Sequence, residues 1–370
     1  MNREYRQVHW IGRVMVIGLI VVLASGCSLF KSKGESQAID PPPINANLAD
    51  ETGTVISDSA ILDTTGADEA ITSETSSKAG TAPITLYFKD ANGYVAPISM
   101  DLPNKEQIAK ESLEYLVEDG PANAYLPAGF TALLPKGTQV KGINIIPDQK
   151  LAIVDFSESF ASYNAQDERK IMEAVVWTLT GFPTIDQVQF RLEGKSLSEM
   201  PVDSTPLGEP LSRAMGINLE VAPGVNVGQA TPVTLYFHNE TSTQFEYFVP
   251  VTRMINRTEQ RNAAVMEQLV QGPLVNNGLT ATLTAATKVS TIQQSEDNQL
   301  VTVDLKEESA DTSEAITPEA LEAIVLSLTQ SSGAAMVQFT VNGEKKVLAQ
   351  DSQNYSKPVS APTHVNPLKL

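Results

Sequence analysis

The chain has 370 residues and a mass of 39.8 kDa, 42% hydrophobic and only 19% charged, a length that accommodates two domains with cores of their own. Its 44 acidic side chains against 26 basic ones give a formal charge of −18, the opposite of the basic footprint a phosphate backbone requires, so nucleic acid is excluded as a partner. One cysteine and three histidines (His9, His238, His364) exclude a disulfide framework, an iron–sulfur cluster and a thiolate zinc site, and no cofactor or metal is expected.

The first predicted element is an address. Arg3, Arg6 and Arg13 precede an unbroken apolar run from Val14 to Ala24. Eleven residues are too few for a bilayer span, which needs about 20, so the run reads as a signal-peptide core. Leu23-Ala24-Ser25-Gly26-Cys27 follows and resembles a bacterial lipobox, with Ala24 standing where Leu is usual. The sole cysteine falls where thiol diacylation needs it, so residues 1–26 are expected to be cleaved and Cys27 to carry lipid. Cleavage removes Arg3, Glu4, Arg6 and Arg13 and leaves a charge near −20. Acyl chains worth about 0.8 kcal/mol per buried CH₂ would anchor it to a membrane without a spanning helix. An acidic body would stand off anionic lipid.

Residues 27–81 form the next unit. They are Ser, Thr, Gly, Ala, Pro and acids, with Phe30 the only aromatic and Pro41-Pro42-Pro43 a short stiff element. Such a composition buries too little apolar surface to offset ordering entropy, so a disordered acidic tether is expected, with a reach of about 40 Å.

The remainder is one unit written twice. Thr85-Leu86-Tyr87-Phe88 recurs 149 residues on as Thr234-Leu235-Tyr236-Phe237. The same offset links Val154-Asp155 to Val303-Asp304, Glu173-Ala174 to Glu322-Ala323, and Val188-Gln189-Phe190 to Val337-Gln338-Phe339. The offset grows by three or four between Glu106-Gln107 and Gly120-Pro121, which match Glu259-Gln260 and Gly272-Pro273. The ends match too: Pro210-Leu211-Ser212 and Ile217-Asn218-Leu219 resemble Pro358-Val359-Ser360 and Val365-Asn366-Pro367-Leu368. A period this long is a duplicated domain rather than a solenoid. The expected organisation is a first domain at 82–200, a Pro/Gly/Ser-rich connector at 201–230 and a second domain at 231–370.

Within the first copy, β-branched and aromatic residues at 84–89 predict a strand, Ala91-Asn92-Gly93 a turn, and 94–100 a second strand. Asn104 with Gln107 predicts a capped start for a helix that carries Ile108, Ala109, Leu113, Leu116 and Val117 and stops at Gly120-Pro121. Residues 139–146 and 150–156 read as a hairpin across Pro147-Asp148-Gln149. A helix over 167–180 with Ile171, Val175, Trp177 and Leu179 supplies core, and a strand over 185–193 ends in the Glu193-Gly194 turn. The second copy predicts helices near 257–270 and 317–330. The fold class is α+β: two tandem copies of a split-βαβ-like two-layer sandwich, a small sheet with two helices on one face.

A lipobox cysteine, an acidic spacer and two domains with a Leu-Tyr-Phe strand, a Gly-Pro helix stop and a Val-Asp strand end together resemble the lipoproteins of endospore-forming bacteria built from tandem GerMN (germane) domains. The resemblance implies a role in sporulation and later germination, residence on the outer forespore membrane facing the intermembrane space, and support of a ring-like secretion channel between mother cell and forespore.

No residue set assembles a reaction, so the chain is expected not to be an enzyme, with no catalytic residue. His238 reads as a solvated strand-end residue. Gly194-Lys195-Ser196 lacks the first glycine of a phosphate loop and reads as a turn. Asp155 and Asp304 occur in both copies and read as strand-end acids bonding nearby amides; one acid per domain does not make a glycosidase pair. Tyr87, Tyr236, Phe88 and Phe237 read as core, and 292–299 as a hairpin tip lacking the glycine and closing glutamate of an EF-hand. The expected function is a protein-binding scaffold on a membrane tether, whose partner is another extracytoplasmic protein, a ring component of the channel. The alternatives are a solute-binding lipoprotein of a transporter, and a cell-wall-associated factor.

Overall fold

The computed structural model describes residues 80–103, 106–275, 277–283, 287–306, 317–345, 349–350 and 353–368. The signal segment, Cys27 and nearly all of the acidic tether lie outside the described residues.

The first copy opens on a hairpin, β1 (Thr81–Lys89) against β2 (Val95–Pro103). Leu86, Phe88, Val95, Ala96 and Ile98 are fully buried. Helix α1 (Ile108–Glu114) leads to a mixed sheet in which β3 (Val140–Ile146) is antiparallel to β4 (Leu151–Phe156), and β4 is parallel to β5 (Gln187–Leu192) after the crossover helix α2 (Glu168–Leu179). A two-residue strand β6 (Lys195–Ser196) closes the edge. The connector supplies β7 (Glu220–Val221). The second copy repeats the order with β8 (Ala230–Glu240), β9 (Glu246–Asn256), α3 (Arg261–Gln271), β10 (Lys288–Gln294), β11 (Leu300–Lys306), α4 (Pro318–Ser332) and β12 (Met336–Val341). Strand β7 lies parallel to β9, on the edge away from β8.

The α+β class and the duplication are as expected, but the sheet of each copy comes in two pieces, a hairpin and a separate mixed sheet. Helix α2 touches both pieces. This is why it is apolar on most sides: Ile171, Met172, Ala174, Val175, Val176, Trp177 and Leu179 are all buried. Repetition extends to single bonds. The Tyr87 amide donates to the Thr178 hydroxyl at 3.2 Å, and 149 residues on the Tyr236 amide donates to Ser327 at 2.9 Å.

Helix α1 departs from expectation. It ends at Glu114, not at Gly120-Pro121, and Gln107 is its N-cap at φ 85° with no capping bond from its side chain; Asn104 lies outside the described residues. Tertiary pairing overrides helix propensity here. The Leu116 carbonyl accepts from the Leu133 and Leu134 amides, and Val117 bridges Leu134, so 115–118 peels off the helix axis. In the second copy α3 runs on to Gly272, which ends it at φ 77°. Helix α4 is bounded by a Thr317 cap, whose hydroxyl accepts from the Ala320 amide at 3.2 Å, Pro318 at its first turn and left-handed Gly333.

Candidate functional site

The strand-end acids are structural. The Gly194 amide donates to Asp155 Oδ1 at 2.8 Å, and the Gly343 amide to Asp304 Oδ1 at 2.7 Å. Both glycines are the second residue of a left-handed pair, Glu193-Gly194 and Asn342-Gly343. Each carboxylate thus fixes the turn that ends its copy's last long strand, and donation from the Thr340 hydroxyl and the Gly343 amide holds Asp304 below its ordinary pKa. Gly194 belongs to this turn, with Lys195 and Ser196 in β6. His238 bridges Thr280 through its backbone and meets Phe248 edge-on. The polar tip within 292–299 is a turn with Asn298 at φ 60°. Phe88, Phe237, Tyr87 and Tyr236 are all buried, so none offers a ligand platform.

What the structure brings together instead is the pair of matched chain ends. Asn218, from the connector, donates through Nδ2 to the Val95 carbonyl of β2 at 2.8 Å and the Pro250 carbonyl of β9 at 2.7 Å, and accepts from the Val95 amide at 2.8 Å. Asn366, from the tail, donates to the Phe248 carbonyl of β9 and the Pro97 carbonyl of β2, both at 2.8 Å, and accepts from the Phe248 amide at 2.8 Å. The two sets are the same with the copies exchanged. Both asparagines sit at positive φ, 47° and 54°, a conformation asparagine tolerates better than most residues. The exchange continues along the strands. The Ile217 carbonyl accepts from the Thr252 amide of the second copy, while Ser99 of the first copy pairs with Asn366 and Leu368 of the second. Each copy therefore sends its C-terminal segment onto the other copy's hairpin, and the two are clasped reciprocally.

Buried polar groups reinforce the clasp. Asp90 and Asn239, equivalent residues of the two copies, meet at 3.3 Å, and the Tyr247 hydroxyl donates to the same Asp90 oxygen at 2.9 Å. Burial pushes the Asp90 carboxyl above its ordinary pKa against those donors. Glu173 accepts from the Asn218 amide at 3.2 Å and pairs with Arg169 at 2.9 Å; burial outweighs Arg169 and raises it to about 7. Glu168 works in the opposite sense. Burial would raise it, but donors from Asp203, Thr205 and Tyr163 more than offset this and bring it to about 2. Arg213 reaches Thr180, the Trp177 carbonyl and Gln330, and covers the Trp177 ring at 4.6 Å, so the connector is packed across both copies. Arg253, fully buried, ties Glu220 to the C-terminal end of α3. Sequence reasoning did not find these groups; the matches of Glu173 with Glu322 and of Asn218 with Asn366 were the only signals.

A different feature lies in the second copy. A groove of about 990 Å³ runs between α3 and β10. Its apolar floor is Met266, Val270, Val289 and Ile292, and Asn262, Thr291, Gln294 and Ser331 contribute polar groups. An amide–amide bond, Asn262 Nδ2 to Gln294 Oε1 at 3.1 Å, crosses from helix to strand. Strand β10 is the edge of its sheet, and Lys288, Ser290, Thr291, Gln293 and Gln294 are exposed along it.

A model of the Germane family, described as "Sporulation and spore germination", matches residues 85–198 and again 234–347. The chain is 38% identical over 351 residues to "Spore germination protein GerM" of Bacillus subtilis (strain 168), covering 93% of this chain and 94% of that protein. Among solved structures it is similar to the tandem GerMN domains of the sporulation protein GerM from Bacillus subtilis, at 38% identity and a TM-score of 0.71, over 78% of this chain and all of the other. The first GerMN domain of that protein, solved separately, is 47% identical over 36% of this chain and 99% of its own, with a TM-score of 0.35.

Proposed function

The chain belongs to the Germane family of sporulation and spore germination proteins and carries the GerMN domain twice, and we propose that it works as a non-enzymatic, protein-binding scaffold held at a membrane by lipid on Cys27. In this reading the signal through residue 26 is removed, the acidic tether lifts the body off the outer forespore membrane into the intermembrane space, and the body supports a ring-like channel assembled there.

The observation that carries the reading is the reciprocal clasp. A scaffold must hold its two modules in fixed relation, and the exchange of chain ends through Asn218 and Asn366 does this with six hydrogen bonds. The solute-binding alternative needs two lobes that close on a ligand about a hinge. Here the segment that would be the hinge is packed, with Met200, Leu207 and Ile217 buried and Arg213 bridging to Gln330. Cross-linking of the intact lipoprotein in sporulating cells tests the scaffold. A ring component recovered with it supports the reading, and recovery of no other protein overturns it. Cys27→Ala tests the anchor: the protein is expected in the soluble fraction, and continued membrane residence would contradict lipidation.

A further inference from the structure

The groove of the second copy exists because particular side chains differ between the copies. Ile108, Ile145 and Phe182 are buried in the first copy. Their counterparts in the second are Arg261, Gln294 and Ser331. Val140 and Ile143 are 3% exposed on β3, whereas their counterparts Val289 and Ile292 on β10 are only half-buried. The first copy also pins the end of its helix through the Leu116 carbonyl and the Val117–Leu134 bridge, while α3 continues straight and leaves the gap open.

The gap therefore combines an apolar floor, polar walls and an edge strand. The edge is seven residues long and without proline; Lys288 and a pairing irregularity between Val289 and Thr291 blunt its start, while Thr291-Ile292-Gln293-Gln294 beyond it pairs regularly with β11 and carries no charge. Strand edges of this kind are templates for another strand unless they are blunted. The Asn262 Oδ1 atom, on the wall of the groove, is buried and has no hydrogen-bond partner among the described residues. Polar walls of amide and hydroxyl groups suit a ligand rich in backbone amides. The exposed carboxylates Glu259 and Glu267 also line the groove, against the one lining base Arg261, whose guanidinium bonds the Ser331 carbonyl, so a complementary ligand carries positive charge beside its apolar residues.

We propose that the groove between α3 and β10 docks an extended segment of a partner protein. The segment adds to β10 as a new edge strand. It seats alternate apolar side chains on Met266, Val270, Val289 and Ile292 and carries lysine or arginine where it passes Glu259 and Glu267. The inference rests on the scaffold reading and names the surface that reading uses.

The test places a photo-cross-linking amino acid at Thr291 of the full chain in sporulating cells, with Gly142, its counterpart on β3, as the control position. The expected result is an adduct from Thr291 and none from Gly142. The adduct maps by mass spectrometry to a partner stretch with alternating apolar residues and at least one basic residue. A synthetic peptide of that stretch binds the purified protein, and Gln294→Ile, which restores the first copy's residue at an exposed position of β10, weakens it by about tenfold or more. Ser331→Phe serves as a second variant only if its melting temperature holds, because the Ser331 hydroxyl bonds the Thr234 amide and carbonyl. The proposal is overturned if the Thr291 adduct is a glycan, if it maps to residues 284–286 or 307–316 of the same chain, if both positions label alike, or if the Gln294→Ile protein binds the peptide equally well. If whole-protein cross-linking captures a ring component while Thr291 captures none, the groove fails and the scaffold stands. If neither captures a protein, both fail.

Discussion

The two copies are alike where they touch each other and unlike where they face outward. At the clasp, Asn218 and Asn366 make the same three bonds with the copies interchanged. At the seam between the first helix and the edge strand, the first copy buries Ile145 and Phe182, and the second has Gln294 and Ser331. A bond made twice in the same way meets a mechanical requirement common to both modules. Gln294 and Ser331 stand where the first copy folds with buried Ile145 and Phe182, so folding did not require the residues that line the groove.

The largest expected effect breaks the likeness at the core. Trp177 is fully buried, meets Tyr87 edge-on at 5.7 Å and donates to the Gly216 carbonyl at 3.2 Å. Its counterpart Leu326 is smaller and lies in a minor cluster with Tyr236 and Phe248. Trp177→Ala should cost about 3–5 kcal/mol, toward the upper end of what Leu326→Ala costs, about 2–5 kcal/mol. Urea denaturation of the two variants ranks them, and an equal or reversed ranking would mean the cores are not built as described.

Next in size, Asn218→Ala and Asn366→Ala each orphan three backbone groups, at about 1–3 kcal/mol. Because the bonding is the same, the two losses should agree within about 0.5 kcal/mol. A neutral result for either variant would show that the exchange is one-sided.

Glu173 supplies a pH test of the clasp. Its folded pKa, about 7, lies above its ordinary value of 4.5, so the folded state holds the proton more tightly. That stabilisation is full below about pH 4.5 and is lost as pH rises through 7. Over that interval it amounts to about 3 kcal/mol at most. Glu173→Gln keeps an acceptor for the Asn218 amide and should flatten this part of the melting-temperature profile, gaining on the parent as pH increases. A variant that instead falls behind the parent above pH 7 would show that the ion pair with Arg169 outweighs burial.

The smallest effect concerns the groove. Gln294→Ile should change stability by less than about 1.5 kcal/mol, since Gln294 is exposed on β10 and the substitution gives up its bond to Asn262. Loss of folding would show that Gln294 belongs to the core and not to an open groove.

Much of this was legible in the sequence, and the remainder was not for definite reasons. Helices α2 and α4 stood out through long apolar patterning, and the turns at Gly194 and Gly343 through matched residues. The end of α1 did not, because residues 115–117 keep helical periodicity while pairing with Leu133 and Leu134 takes them elsewhere. The division of each sheet was equally hidden, since strand order does not say which strands share hydrogen bonds. The repeat disclosed that Asn218 matches Asn366. It could not disclose that each crosses to the other copy, because a return onto the same hairpin would leave the same letters. The groove was written in the Ile145–Gln294 and Phe182–Ser331 differences, which acquire meaning only once β10 is known to be an edge. The buried acids Asp90 and Glu168 had no signal separating them from surface acids, and Glu173 had only its match with Glu322.

The central claim is that the two copies form one clasped body. In a chain without its signal, Trp177 is the only tryptophan, since the other is Trp10. Its emission during urea unfolding reports the first copy, and hydrogen exchange of α4 in the same samples reports the second. The account predicts one coincident transition with a shared midpoint. Two separated transitions, with α4 still protected after Trp177 is exposed, would contradict it.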